Sequence, residues 1–375
     1  MSFARLDLAA RRSGPVGLGL DVGGTKILGL VLSTSGEVLA EERRDTPSQG
    51  DALLNVLAEL ISELRTLVGV HPVVGVGVGV PGLVDTEGVL RFAPNLLGAN
   101  GTAVKAGLEA ILEGRYPVAV DNDATCAMTG ERAFGAAFGS DDALLVTIGT
   151  GIGGAIVSGG RLVRGAHNFA GEIGHVIVDP HGPPCPCGKR GCWERYASGS
   201  GLGRLARDAA VAGRAGGVVE SAGSDPDSVR GEHVVAVALD GDPEATAILA
   251  EFAWWLGLGL ANLANVLDPE LIVLGGGLVN AGELLLEPAR AAFAEFVESN
   301  EERADVRIVP AALGDRGGAI GAAVIGLEAA GLSTEGAGVA PHAADPPPHA
   351  ADPPPHAADP PPHAADPPPE VGPTA

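Results

Sequence analysis

The chain is poor in aromatic residues, in sulfur and in positive charge. Aromatic side chains make up 3% of its 375 residues, and it has only two methionines and four cysteines. Its core must therefore be built largely from small aliphatic side chains. With 46% hydrophobic residues, a chain of this length can bury at least one large core, and we expect two α/β domains.

The balance of charge limits the partners of the protein. Lysine and arginine number 24 against 47 aspartates and glutamates, a formal net charge of −23. This excess repels phosphate backbones and anionic lipids, which argues against nucleic acid or a membrane as the main partner. The sequence shows no run of about twenty apolar residues and no signal-peptide pattern at its start. We therefore expect a soluble, cytoplasmic protein.

Three of the four cysteines are clustered in sequence, at Cys185, Cys187 and Cys192, and His175 lies ten positions before the first of them. Three thiolates and one imidazole are a tetrahedral ligand set that Zn²⁺ prefers in structural sites. A disulfide framework is disfavoured because three clustered cysteines leave one unpaired. Three thiols without a metal are the alternative. The spacing predicts a structural zinc ion.

Two carboxylates flank this cluster. Glu172 lies three residues before His175, and Glu194 lies two residues after Cys192. A bound metal would fix both carboxylates and the imidazole relative to one another, and the free nitrogen of His175 would carry a proton to donate. Such a set of acceptors and one donor suits a ligand rich in hydroxyl groups.

Two segments repeat one pattern of strand, glycine turn and strand: LGLDVGGTKILGLVL and LLVTIGTGIGGAIVS. Each predicts a β-hairpin, and two such turns could bind one polyphosphate from opposite sides through backbone N–H groups. An ordinary tight hairpin is the alternative for either turn alone. GTGIGG is not a dinucleotide fingerprint, because a strand and not a helix follows it. The expected phosphate-site residues are Asp21, Gly23, Gly24, Thr25, Lys26, Gly151 and Gly153.

A predicted strand over 118–120 ends at Asp121, Asn122 and Asp123, and a helix follows. Ligand sites in open α/β sheets lie beyond the carboxyl ends of strands. We therefore take Asp123 as a candidate general base that accepts a hydroxyl proton during phosphoryl transfer. The alternative is that these residues cap the helix. One can cap while another faces a cleft, and the sequence leaves that choice open.

Seven motifs together resemble the ROK family of sugar kinases and repressors, most closely its bacterial ATP-dependent glucokinases. They are DVGGTK, the turn at Pro81 and Gly82, DNDA, TIGTGIGG, GEIGH, the cysteine cluster ending in GCWE, and LGGGLV. The resemblance implies the actin-like ATPase fold, two α/β domains around a cleft. It places a small domain at 16–126, completed by a helix at 317–332, and a large zinc-containing domain at 127–316.

The resemblance also implies transfer of the γ-phosphoryl group of ATP, with Mg²⁺, to the 6-hydroxyl of glucose, in a homodimer or homotetramer. Asp123 would be the general base, and zinc would be held by His175, Cys185, Cys187 and Cys192. The implied sugar-binding residues are Gly82, Asn122, Asp123, Glu172, His175 and Glu194. The implied ATP-binding residues are Asp21, Gly23, Gly24, Thr25, Lys26, Thr150, Gly151, Gly153, Gly275, Gly276 and Gly277.

Several alternatives remain open at this point. Another hexose, such as N-acetylmannosamine, N-acetylglucosamine or fructose, is a possible acceptor, and polyphosphate is a possible donor. Ala99 stands where the family often has tryptophan, which leaves the sugar-side wall less defined. A repressor would carry a helix-turn-helix domain before the first hairpin, and about twenty residues precede Asp21, too few for one. A non-catalytic sugar sensor would not need Asp123.

The sequence changes character after about Leu332. The unit HAADPPP occurs four times, beginning at His342, His349, His356 and His363. Its proline triplets are incompatible with helix and sheet, so we expect residues 333–375 to form a disordered tail.

Overall fold

The computed structural model of the protein describes residues 14–334, which contain two five-stranded sheets and one three-stranded sheet. The strands are β1 (Val16–Val22), β2 (Lys26–Ser33), β3 (Val38–Asp45), β4 (Val73–Val80), β5 (Leu83–Val84), β6 (Val89–Phe92), β7 (Thr102–Ala103), β8 (Val118–Asn122), β9 (Ala143–Ile148), β10 (Ile152–Ser158), β11 (Arg161–Leu162), β12 (Leu271–Gly275) and β13 (Arg307–Pro310). The helices are α1 (Gly50–Leu67), α2 (Val104–Ile111), α3 (Asp123–Phe134), α4 (Glu194–Ala197), α5 (Gly199–Val211), α6 (Gly216–Ser221), α7 (Gly231–Leu239), α8 (Pro243–Leu267), α9 (Glu283–Phe296) and α10 (Gly317–Ala329).

The two large sheets share one plan. In the first, with order β3-β2-β1-β4-β8, β1 and β2 form an antiparallel hairpin, and β1, β4 and β8 run parallel. In the second, with order β11-β10-β9-β12-β13, β9 and β10 form the hairpin, and β9, β12 and β13 run parallel. Both predicted hairpins are therefore present. Parallel pairing brings the carboxyl ends of each set of strands to one edge of its sheet.

Alternating glycines in β1 and β4 let α10 pack directly on the first sheet. Because side chains alternate between the faces of a strand, Gly17, Gly19, Gly75 and Gly77 share one face. A Cβ at Gly19 would overlap the carbonyl oxygen of Ala319, and a Cβ at Gly77 would overlap that of Ala322. Only glycine leaves room for this backbone contact. The last described helix therefore joins the first sheet, although it follows the second in sequence.

The core that includes the second sheet is formed around α8. Phe252, Leu256 and Leu260 on this helix are fully buried among aliphatic neighbours. By length and composition α8 is apolar enough to cross a membrane, but 61% of its most apolar window is buried inside the protein. A core helix passes the same test, so this one is weak evidence for a membrane span.

Local features define the limits of three elements. The N-cap of α1 is Gln49, and Asp51 lies in the first turn of that helix. β12 ends at Gly275, because Gly276 has φ of 92° and turns the chain into a 3-10 helix. The segment after Ala212 contains α6, whose Val218 is buried. The domain boundaries stay a prediction, and the tail lies outside the described residues apart from 333 and 334.

Candidate active site

The carboxyl ends of β1, β4 and β8 bring acidic side chains together at one edge of the first sheet. Asp21 pairs in register with Gly79, and Gly79 pairs with Asp121. The carboxylate of Asp21 lies over the start of α10, where a Cβ at Gly318 would be 2.6 Å from Asp21 Cγ. Gly318 therefore leaves room for the Asp21 carboxylate at this edge of the sheet.

The three residues of the DND motif have different partners. Asn122 is the N-cap of α3, and its Oδ1 accepts hydrogen bonds from the amides of Ala124 and Thr125 at 2.9 and 3.1 Å. Its Nδ2 donates to the carbonyl oxygen of Gly82 at 3.2 Å. Asn122 thus caps the helix and holds the PG turn. That assigns the capping role which the sequence left open.

Asp121 is a buried carboxylate that forms an ion pair with the more exposed Arg164. It is 5% exposed, and its Oδ2 accepts hydrogen bonds from Nε and Nη2 of Arg164 at 3.0 and 2.8 Å. Its Oδ1 accepts from the Asn122 amide and from Nδ2 of Asn168, at 2.9 and 3.3 Å. With Asn122 capping and Asp121 paired, Asp123 is the member of the motif left for chemistry.

Asp21 and Asp123 have raised pKa values. Burial, together with a smaller contribution from the charge of Asp123, raises the pKa of Asp21 to about 7. Burial is also the main reason that the pKa of Asp123 is raised to about 6, and Glu172 adds to it. Both side chains stay partly accessible, and neither forms an ion pair with another residue of the described range 14–334. Perturbed carboxyls in a cleft are typical of functional sites.

Glu172, His175 and Glu194 form the next part of the site. Nε2 of His175 lies 3.7 Å from Oε2 of Glu172. Oε2 of Glu194 accepts a hydrogen bond from the Ile152 amide at 3.0 Å. A Cβ at Gly151 would overlap that same oxygen, so Gly151 makes room for Glu194. The second hairpin turn is therefore in direct contact with an expected sugar-binding carboxylate.

The predicted metal ligands are brought together. The ligand atoms of His175, Cys185, Cys187 and Cys192 all lie within 4.8 Å of one another. Sγ of Cys187 and Cys192 are 3.6 Å apart, and Sγ of Cys185 is 3.8 Å from Nδ1 of His175. Tetrahedral zinc with Zn–S bonds of about 2.3 Å requires sulfurs about 3.8 Å apart. The cluster fits a zinc ion, with Nδ1 facing the sulfurs and Nε2 facing Glu172.

The two glycine turns match the expected phosphate site only in part. The Gly23 amide donates to the Lys26 carbonyl at 2.9 Å, so it closes the hairpin. Gly153 lies within β10 opposite Thr147. The side chain of Lys26 forms an exposed ion pair with Asp45. Gly24 and Thr25 are exposed at the tip of the first turn. Thr150 and Gly151 follow β9, and Gly276 and Gly277 follow the adjacent parallel strand β12, whose last residue is Gly275.

Comparison with known proteins identifies the family. The model of the ROK family matches residues 17–329, most of the chain. This chain belongs to the ROK family. The predicted family is thereby confirmed.

Two relatives and one solved structure illustrate the range of the family. A glucokinase from Streptomyces coelicolor is 37% identical over 314 residues, 83% of this chain and 97% of that protein. The crystal structure of a ROK family glucokinase from Streptomyces griseus in complex with glucose and AMPPNP is 36% identical, with a TM-score of 0.76, and the match covers 84% of this chain and 99% of that one. The xylose repressor of Bacillus subtilis is 28% identical over 313 residues, 82% of this chain and 76% of the repressor. The predicted actin-like ATPase fold is confirmed by this likeness.

Sequence reasoning missed three polar residues of this ROK protein that organise the site. Arg164 and Asn168, on the segment after β11, bind Asp121, and Asn168 also donates to the Val84 carbonyl at 3.1 Å. Glu131 is a buried carboxylate on α3. The one available signal for Arg164 was a basic residue shortly before GEIGH in an acidic chain. Nothing in the sequence indicated its partner.

The raised pKa of Asp21 predicts a pH-dependent cost in stability. Its pKa is 3.8 unfolded and about 7 folded, so between these values the folded state binds more protons and stability falls as pH rises. Without metal or nucleotide, Asp21→Asn should raise Tm by about 5 °C near pH 8 and by almost nothing near pH 4. Thermal unfolding across this range measures the effect.

The control is Asp45→Asn. The pKa of Asp45 is lowered by its ion pair with Lys26, so this variant should show no gain at high pH. Equal Tm values for the wild type and Asp21→Asn at every pH would contradict the assignment.

Proposed function

We propose that this protein transfers the γ-phosphoryl group of ATP to the 6-hydroxyl of glucose, with Asp123 as the general base and a structural zinc ion ordering the sugar site. The observation that carries this proposal is the position of Asp123. It lies at the carboxyl end of β8, between Asp21 and Glu172, with a pKa raised to about 6, while its neighbour Asn122 supplies the helix cap.

The coarser assignment rests on the family comparison. The glucokinase of S. coelicolor is 37% identical across nearly its whole length, and the S. griseus structure holds both glucose and AMPPNP. This chain is accordingly an ATP-dependent sugar kinase. Glucose as the acceptor, the role of Asp123 and the bound metals are the finer parts of the proposal.

Asp123 has the properties of a base for a hydroxyl group. A carboxylate with a pKa of about 6 is mostly ionised at neutral pH, and it accepts a proton more readily than an ordinary aspartate. Its Oδ1 accepts a hydrogen bond from the amide of Ala124 at 2.8 Å, and this bond orients the carboxylate at the start of α3. The attacking oxygen of the sugar would lose its proton to this group as the phosphoryl group arrives.

Asp21 suits the magnesium ion that accompanies ATP. Mg²⁺ binds carboxylate and phosphate oxygens, and Asp21 offers a carboxylate that no cationic side chain of the described residues neutralises. When bound, Mg²⁺ neutralises charge on the transferring phosphoryl group. Asp21 would favour its ionised form in the presence of the ion, which offsets the repulsion between Asp21 and Asp123.

The sugar would be recognised by Glu172, His175 and Glu194. The two carboxylates accept hydrogen bonds from hydroxyl groups, and Nε2 of His175 donates one when Nδ1 binds zinc. The orientation of the ring supports this division, because Nδ1 faces Cys185 and Nε2 faces Glu172. Glu194 also binds the Ile152 amide, which links the sugar side to the second hairpin.

A sugar-sensing regulator is the second candidate, and its support is the similarity to the B. subtilis xylose repressor. A sensor would bind sugar with the same residues but would not need a base. The raised pKa of Asp123 and the higher identity to glucokinases favour the kinase.

Replacing the base should separate catalysis from binding. Asp123→Asn keeps the size of the side chain but loses the proton acceptor, so kcat should fall by about two to four orders of magnitude. The glucose Kd, measured by calorimetry, should change little. In the wild type, kcat should fall as pH drops below about 6, when Asp123 becomes protonated.

Asp51→Asn makes the same chemical change on an exposed first turn of α1 and should leave kcat unaffected. Normal turnover in Asp123→Asn would remove Asp123 from its proposed role.

Loss of zinc from the cluster should weaken the binding of glucose. Elemental analysis should find one zinc ion per chain, and Cys187→Ser should lower zinc content and raise the KM for glucose, because His175 loses its anchor. Cys126→Ala is the control, since Cys126 is buried outside the cluster and its loss should leave zinc content intact. Metal-free protein with normal glucose affinity would disprove the connection.

A coupled assay against a panel of sugars tests the reaction itself, with ATP, GTP and polyphosphate as donors. Glucose with ATP should give the highest kcat/KM. A far higher kcat/KM for N-acetylmannosamine, N-acetylglucosamine or fructose would change the acceptor and leave the kinase assignment intact. Sugar binding without phosphorylation by any donor would favour the regulator.

A further inference from the structure

The described chain passes between the two large sheets twice. The first crossing leaves β8 through α3 and continues over residues 135–142 to β9. The second leaves β13 and returns over residues 311–316 to α10, which packs on the first sheet. Any change in the angle between the sheets must therefore be absorbed at these two crossings.

One buried side chain binds both crossings. Glu131, in the last turns of α3, is 1% exposed. Its Oε2 accepts hydrogen bonds from the amides of Ala136 and Ala312, at 2.7 and 3.1 Å. Its Oε1 accepts from the amide of Leu313 at 2.9 Å. Ala136 belongs to the first crossing, and Ala312 and Leu313 belong to the second.

Glycines make room for this arrangement. A Cβ at Gly135 would overlap Oε2 of Glu131. Gly135 has φ of −126°, a value open to any residue, so space and not backbone conformation requires glycine there. Near this position α3 and α10 are in close contact, because a Cβ at Gly130 would lie 2.6 Å from the carbonyl oxygen of Gly317.

The energetics of a buried carboxylate make this contact strong. An ionised group in the interior is costly unless hydrogen bonds replace its water, and charge-assisted bonds to amides are about twice as strong as neutral ones. Glu131 has no ion-pair partner among residues 14–334, so these amides supply its compensation. If the crossings separated, the carboxylate would lose the amides of Ala312 and Leu313 together.

We propose that Glu131 is a positioning residue. Its hydrogen bonds hold the two crossings together and so set the angle between the two large sheets. That angle determines where Asp123 lies relative to the glycine turns of the two hairpins. Asp123 is the first residue of α3, and Glu131 lies in the last turn of the same helix. Glu131 joins the carboxyl end of this helix to the segments that follow α3 and β13. The amino end of the helix lies against β10, where a Cβ at Gly153 would lie 3.2 Å from Cβ of Ala124. The inference rests on the proposed kinase function.

Two variants weaken the contact in different ways. Glu131→Gln keeps the shape but places an NH₂ group against at least one amide donor. Gly135→Ala keeps the charge but puts a methyl group where Oε2 lies. Each should lower kcat for glucose phosphorylation about tenfold or more, with the glucose Kd changed less than about threefold. In small-angle X-ray scattering, each ligand-free variant should have a larger radius of gyration than the wild type.

Thr129→Val is the matched control. Thr129 lies on the same helix, is 8% exposed, and its Oγ1 donates only to the Thr125 carbonyl within that helix. This variant should lower Tm while kcat and the radius of gyration stay at wild-type values. The inference is overturned if Glu131→Gln and Gly135→Ala, both folded, keep the wild-type radius of gyration, or if Thr129→Val reproduces their effects. The scattering comparison needs no substrate, so it decides the matter even if no sugar is phosphorylated.

Discussion

The direct contact between the backbone of α10 and the backbone of the first sheet determines the position of several parts of the site. Because β1 and β4 have glycine at alternate positions, α10 lies directly on the first sheet, close enough that any Cβ at Gly77 would overlap it. The same packing brings Gly318 against the carboxylate of Asp21 and Gly321 against α3. The acidic edge, the start of α3 and the second crossing of the chain all take their positions from this contact.

The site that results is built from like charges. Burial is the main reason that the pKa values of Asp21, Asp123 and Glu172 are raised, and the charge of a neighbouring carboxylate adds to each rise: Asp123 acts on Asp21, Glu172 on Asp123, and Glu194 on Glu172. Such an arrangement is unfavourable for the folded state at neutral pH, and it persists because the surrounding packing is strong enough to hold it. It is also what a kinase requires, since a Mg²⁺ ion and a hydroxyl proton both bind where negative charge is concentrated.

The cysteine cluster and the second hairpin are connected through Glu194. This side chain accepts a hydrogen bond from the Ile152 amide beside the second glycine turn, and its Oε1 lies 3.9 Å from Sγ of Cys185. In the proposed mechanism, a zinc ion in the cluster would therefore order more than its own loop. It would fix the sugar-binding groups before the sugar arrives, so that less ordering would remain for the binding step.

The features that could be predicted from the sequence are those that depend on residues close to one another along the chain. The two hairpins, the strand end before Asp123 and the grouping of three cysteines with His175 were all predicted, because turn chemistry, alternation and ligand spacing are local signals. The structure was needed to show which residue of the DND motif caps α3. Contacts between distant parts of the chain determine that Arg164 neutralises Asp121 and that Glu131 binds amides 181 and 182 residues away. The partners of Glu131 are backbone amides, which every residue except proline carries, so no pattern of side chains could have indicated them.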